Sequence, residues 1–111
     1  MKLSVQGREA YAYSGGKPFD PALPCVVFIH GALGDHSSWT LLARWCAHHG
    51  FGVLALNQPG HGRSEGPPLP SVQALADWTL ALMSAAAAVL ATKRRMRVRF
   101  MAFSFQEMCG W

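Results

Sequence analysis

Between Cys25 and Asp35 the chain reads C-V-V-F-I-H-G-A-L-G-D, and the chemistry on offer there belongs to the backbone. Gly31 and Gly34 permit a sharp turn directly after an apolar run. Backbone N–H groups left unpaired by such a turn can be aimed at a developing negative charge, which makes the loop a candidate oxyanion site. A second stretch, Asn57-Gln58-Pro59-Gly60-His61-Gly62-Arg63-Ser64, also leads from an apolar run into a glycine-rich turn. A third candidate is Ser104, which stands between Phe103 and Phe105 where another apolar run should turn into a helix. His48 and His49 form a separate pair. No carboxylate or cysteine lies at ligand spacing from them, so no metal site is expected.

These residues need elements to hold them. Val26, Val27, Phe28 and Ile29 are β-branched or aromatic without interruption, as in a strand buried on both faces of a parallel sheet. Open α/β sheets place ligands at the carboxyl ends of such strands. Upstream, Leu3 to Val5 and Ala10 to Tyr13 read as an edge hairpin around Gly7, followed by a polar, proline-rich connection from Ser14 to Pro24. A helix capped by Ser37 or Ser38 and closed by Gly50 comes next, with Trp39, Leu42, Trp45 and Cys46 as the stripe facing the sheet. His48 and His49 fall in its last turn, where the helix dipole favours a cation.

Val53 to Leu56 is a further core strand, and strand, helix, strand makes a right-handed βαβ unit with parallel strands. Ser71 then caps a long helix running to about Ala91, with Leu75, Trp78, Leu82 and Val89 on one stripe. The run Ala85 to Ala88 permits close packing. Val98 to Ala102 reads as a third core strand, ending just before Ser104.

Several function classes are disfavoured. Gly60, Gly62 and Gly66 give G-x-G-x-x-x-G rather than the dinucleotide spacing, Pro67-Pro68 stands where a helix would have to begin, and no Walker lysine follows. The net charge of +4 is concentrated: five of the ten Lys and Arg residues are Lys93, Arg94, Arg95, Arg97 and Arg99. That run reads as a solvated turn between helix and strand, without the spread of cations and aromatics a nucleic-acid face needs. Val72 to Ala91 is alanine-rich and interrupted by Gln73, Asp77 and Ser84, so no membrane span is expected. Met1 to Gly7 has no apolar stretch of signal-peptide length, which gives a cytoplasmic expectation. Cys25, Cys46 and Cys109 are odd in number and set in apolar sequence, as reduced buried thiols are. With 111 residues, 50% of them hydrophobic and 14% charged, the chain can build one packed core and no more than one domain.

Taken in order, the three chemical stretches resemble the α/β-hydrolase fold family. The strand ending in His30-Gly31 resembles its oxyanion loop, Asn57 to Ser64 its D-x-P-G-x-G-x-S turn, and Ala102-Phe103-Ser104-Phe105-Gln106 its G-x-S-x-G nucleophile elbow. The resemblance covers nearly the whole chain. It implies an α/β fold, a mostly parallel sheet with flanking helices, here incomplete and running from the first strands through the nucleophile strand. Residues 1–111 would be the amino-terminal portion of a single domain of this type.

By the same resemblance Ser104 would attack an acyl carbon, and the N–H groups of Phe105 and of Ala32 or Leu33 would hold the oxyanion. His30, Gly31, Gly34, Pro59, Gly60 and Gly62 would shape the loops, with His61 part of the turn. The substrate would be a small acyl or ester molecule, with no cofactor, metal, nucleic acid or membrane partner. Departures from the family pattern stand at Ala102 and Gln106 in place of elbow glycines and at Asn57 in place of aspartate. The family's acid and histidine lie on later loops, and no residue here matches either. Two readings follow: the amino-terminal half of a serine hydrolase, or a truncated, inactive product or small interaction module keeping half the fold. In both, Val98 to Ala102 leaves an open sheet edge through which the chain would self-associate.

Overall fold

The computed structural model describes residues 1–31, 33–89 and 98–100, with no side-chain account of Val89 or of the last three. Five strands, β1 (Lys2–Val5), β2 (Arg8–Tyr13), β3 (Cys25–Phe28), β4 (Gly52–Leu56) and β5 (Val98–Phe100), form one sheet in the order β1-β2-β4-β3-β5. β1 and β2 pair antiparallel through a two-residue turn in which Gln6 and Gly7 both have positive φ, the geometry that matches the twist of a hairpin. β2 pairs antiparallel with β4, while β4, β3 and β5 run parallel, with Val26 opposite Val53 and Val27 opposite Phe100. The expected hairpin and parallel core are both present.

Alternation along the central strands divides the core in two. Cys25, Val27, Leu54 and Leu56 point to one face with Leu3, Val5, Trp78 and Leu82, whereas Val26, Phe28, Val53 and Ala55 point to the other with Trp39, Ala43 and Cys46. Each face is covered by one helix, α2 (Val72–Val89) on the first and α1 (Thr40–His48) on the second. Both strands therefore read as unbroken apolar runs.

Helix α1 differs from expectation at its start and on its buried face. Asp35, rather than a serine, caps the preceding 3₁₀ turn His36–Trp39: its carboxylate accepts the Ser37 N–H at 2.8 Å, a two-residue Asx closure that places the serines inside the turn. Trp39, Ala43, Cys46 and Ala47 are buried, but Leu42 and Trp45 are 45% and 56% exposed. Small residues decide this. Gly15 lies so close that a Cβ there would stand 2.6 Å from both the Ala43 carbonyl and the Ala47 Cβ, an approach that a face carrying Leu42 and Trp45 would block. The helix closes at Gly50 as expected, with φ +86 and the Phe51 N–H reaching back to the Cys46 carbonyl at 3.2 Å.

Ser71 caps α2, its Oγ accepting the Ala74 N–H at 3.1 Å. Trp78, Leu82, Met83 and Ala86 are buried, with Leu75 partly so. Among the described residues no helix is long and apolar enough to cross a membrane. Cys25 and Cys46 are buried free thiols, and burial pushes Cys25 up to about 12. Cys109, the stretch Lys93 to Arg97, Met101 and Ala102, and the expected extension of α2 to Ala91 lie outside the described residues.

Candidate functional site

Because β3 and β4 are parallel neighbours with Phe28 opposite Ala55, their exit loops emerge side by side. His30 joins them. Its ring is buried, Nδ1 donates to the Gly31 carbonyl at 2.7 Å, and Nε2 accepts the Gln58 N–H at 3.0 Å. The Gln58 side-chain amide returns the contact, donating to the His30 carbonyl at 2.7 Å. One nitrogen must donate and the other must accept, so only the neutral Nδ1–H form satisfies both bonds. Burial holds the ring below its ordinary pKa; the bond to Gly31 opposes this, His61 and His36 add to it, and Asp35 opposes it.

Beyond His30 the Gly34 N–H closes onto the Gly31 carbonyl at 3.1 Å. Leu33, inside this turn, has φ +63 and a side chain 98% exposed. A leucine in the left-handed region costs on the order of 1–3 kcal/mol and persists only where its surroundings impose it. Here the imposing element is a loop pinned through His30 to the neighbouring strand.

The Asn57–Ser64 loop is held by its first and last residues. Ser64 Oγ donates to the Asn57 carbonyl at 2.7 Å and accepts the Tyr11 N–H at 3.0 Å, while the Asn57 N–H bonds the Tyr11 carbonyl at 3.0 Å. Asn57 is fully buried. Its Oδ1 accepts the His36 N–H at 2.7 Å and lies 3.1 Å from His36 Nδ1, tying the turn that starts α1 to the end of β4. Its Nδ2 has no hydrogen-bond partner among the described residues. Gly62, at φ +53, presses against this amide, and a Cβ there would stand 2.4 Å from Nδ2. Gly60 and Pro59 form the bend, with Gly60 against Pro68.

Between the two loops lies an open cleft of about 500 Å³, lined by Ile29, His30, Leu33, Gln58, His61 and Leu69 among others. The His30 and His61 rings meet along its wall, with centroids 5.1 Å apart. β5 runs parallel beside β3, so its carboxyl end points the same way. Ala32, Ser104 and Phe105 lie outside the described residues. The structure thus brings together His30, Gly31, Leu33, Gly34, Pro59, Gly60 and Gly62. Among the described residues no three His, Cys, Asp or Glu side chains are grouped to hold a metal ion.

A family model described as alpha/beta hydrolase fold matches residues 24–104. The chain belongs to the α/β-hydrolase family. No curated protein sequence matches it. Among solved structures, the α/β-hydrolase chain resembles a bacterial membrane phospholipase A, described as a virulence factor, at 23% identity and TM-score 0.71 over 92% of this chain and 30% of that one. It resembles the epoxide hydrolase VrEH1 from Vigna radiata at 20% identity and TM-score 0.70, over 100% and 32%. It also resembles the enol-lactonase from Burkholderia xenovorans LB400 at 26% identity and TM-score 0.68, over 99% and 39%. The chain therefore spans about a third of the length of these hydrolase-fold structures.

The α/β-hydrolase motifs carry more structural roles than their spacing revealed. Gln58, Ser64, His36 and Asp35 each hold the loops, and the sequence reading assigned none of these bonds. Asp35-His36-Ser37 carried a readable signal, since Asp two residues before Ser at a helix start is an Asx cap. Gln58 and Ser64 carried none, because their partners lie on other strands.

Proposed function

We propose that the chain is the amino-terminal portion of a single α/β-hydrolase domain that cleaves an ester or related acyl substrate through Ser104. The Ser104 oxygen attacks the acyl carbon, the alkoxide leaving group departs as an alcohol after gaining a proton, and water then releases the acid and restores the serine. Main-chain N–H groups of Ala32 or Leu33 and of Phe105 hold the oxyanion, a role worth roughly 3 kcal/mol per donor. The observation that carries this reading is the double contact between His30 and Gln58, which ties the strand end just before Gly31 to the neighbouring loop beside the cleft. The likeness to a structure described as an enol-lactonase, at 26% identity, supports an ester-type bond.

His30 is a brace in this reading rather than the base, because both ring nitrogens are committed. By likeness to the family the base that takes the Ser104 proton is assigned to a later loop rather than to His61 of the Asn57–Ser64 turn, and residues 1–111 alone are inactive. Their β5 edge takes up a second copy in solution. Cytoplasmic residence belongs to the same proposal, supported by the free thiols of Cys25 and Cys46. A second reading, an interaction module without catalysis, is favoured by Ala102 and Gln106 standing where the nucleophile elbow has glycines.

The two readings part on turnover of p-nitrophenyl esters by the protein expressed through whatever open frame follows codon 111 in its source DNA. Turnover that Ser104→Ala abolishes supports the hydrolase. Absence of turnover supports the second reading, and turnover unaffected by Ser104→Ala overturns Ser104 as the nucleophile.

A further inference from the structure

The two imidazoles of the cleft differ in what they have left to offer a ligand. His30 has no uncommitted nitrogen. His61 has Nδ1 3.1 Å from the Pro59 carbonyl, and a carbonyl oxygen only accepts, so in the neutral ring Nδ1 carries the proton and Nε2 is an acceptor. No described residue donates to that Nε2. The other polar side chain on this wall, Gln58, is anchored by an amide N–H donated to the His30 carbonyl. Around His61 the lining is apolar, from Ile29, Leu33, Pro68, Leu69 and Leu75.

From this arrangement we infer that His61 is a substrate-binding residue whose Nε2 accepts a hydrogen bond from a hydroxyl carried on an otherwise aliphatic acyl group. The inference rests on reading the cleft as the active site. An aliphatic chain fits the Ile29, Leu69 and Leu75 wall and displaces water from it, while the His61 acceptor beside that wall favours a ligand that brings it a donor. A substrate lacking the hydroxyl brings Nε2 no donor, and one that replaces it with an ether offers only a second acceptor.

The test is binding to the 111-residue chain, followed by NMR, of three neutral probes: methyl 3-hydroxyhexanoate, its 3-methoxy analogue and methyl hexanoate. The hydroxy ester binds about fivefold more tightly than either analogue, the range of one net hydrogen bond. His61→Phe removes that preference. Ser104→Ala keeps it, and because binding is read without turnover, failure of this subsite and failure of Ser104 as the nucleophile are separate results. Equal binding of the hydroxy and methoxy esters, or a preference that survives His61→Phe, overturns the inference. A ¹⁵N measurement of the unsubstituted chain gives an independent check: the Nδ1–H tautomer at His61 is expected, and the Nε2–H tautomer overturns the inference even if His61→Phe does not fold.

Discussion

Gln58 grips His30 at two points, its main-chain N–H on the ring at 3.0 Å and its side-chain amide on the carbonyl at 2.7 Å. Two adjacent strand ends are thereby locked at a fixed spacing, and the turn that follows His30 inherits that position. The brace is partly shielded from water, so its hydrogen bonds are worth more than exposed ones. Gln58→Ala removes one of them and is expected to cost about 1 kcal/mol, whereas His30→Ala empties a buried site and orphans the Gln58 N–H, costing about 3 kcal/mol. Urea unfolding of both variants measures the difference, and equal losses would contradict the brace.

His30 also sets a pH dependence. Its folded pKa is depressed below the ordinary value of about 6.5, chiefly by burial, because the ring must stay neutral to accept from Gln58. The unfolded chain therefore takes up its proton first as pH falls. The His30 contribution is fully present above about pH 6.5 and declines as pH drops toward the lower folded pKa. Urea midpoints recorded between pH 8 and 5 should fall on the acid side, and His30→Phe should flatten that part of the profile.

Ser64 closes the second loop by donating to Asn57 and accepting from Tyr11. Ser64→Ala strands a main-chain N–H on β2 and a carbonyl at the end of β4 in a nearly buried place. A loss of about 2 kcal/mol is expected. Hydrogen exchange checks the location: the Tyr11 amide should lose protection while amides in α1 do not.

Two glycines with positive φ should respond differently to alanine. Gly50 has open space around its missing Cβ, so Gly50→Ala carries only the backbone penalty of about 1 kcal/mol. Gly62→Ala adds a 2.4 Å approach to the Asn57 amide, which is buried and held by His36, and should cost about 3 kcal/mol. Thermal melts of the two variants side by side give the comparison.

The strands were legible because burial on both faces removes polar residues from them: Val26 to Ile29 and Val53 to Leu56 have no other common reading at that length. The face of α1 was not. Leu42 and Trp45 are the larger apolar residues, but Ala43 and Ala47 face inward because the Gly15 segment comes too close for anything bigger. Size complementarity of that kind depends on a chain segment almost thirty residues away, and no helical period contains it. The site divides in the same way. Glycines and His30 announced two turns, whereas the bonds of Gln58, Ser64 and Asn57 join residues that only the sheet order makes neighbours. The apolar patch of Leu41, Leu42 and Trp45 is a consequence of the same rotation, and substitutions there such as Leu41→Gln should change stability by less than about 0.5 kcal/mol.

The hydrolase assignment is tested most directly by treating the protein, extended through the frame that follows codon 111, with a fluorophosphonate and mapping the adduct by peptide mass. One adduct per chain on the peptide containing Ser104, absent from Ser104→Ala and from residues 1–111 alone, is the outcome expected. An adduct on another residue, or none in the extended protein, would contradict Ser104 as the nucleophile.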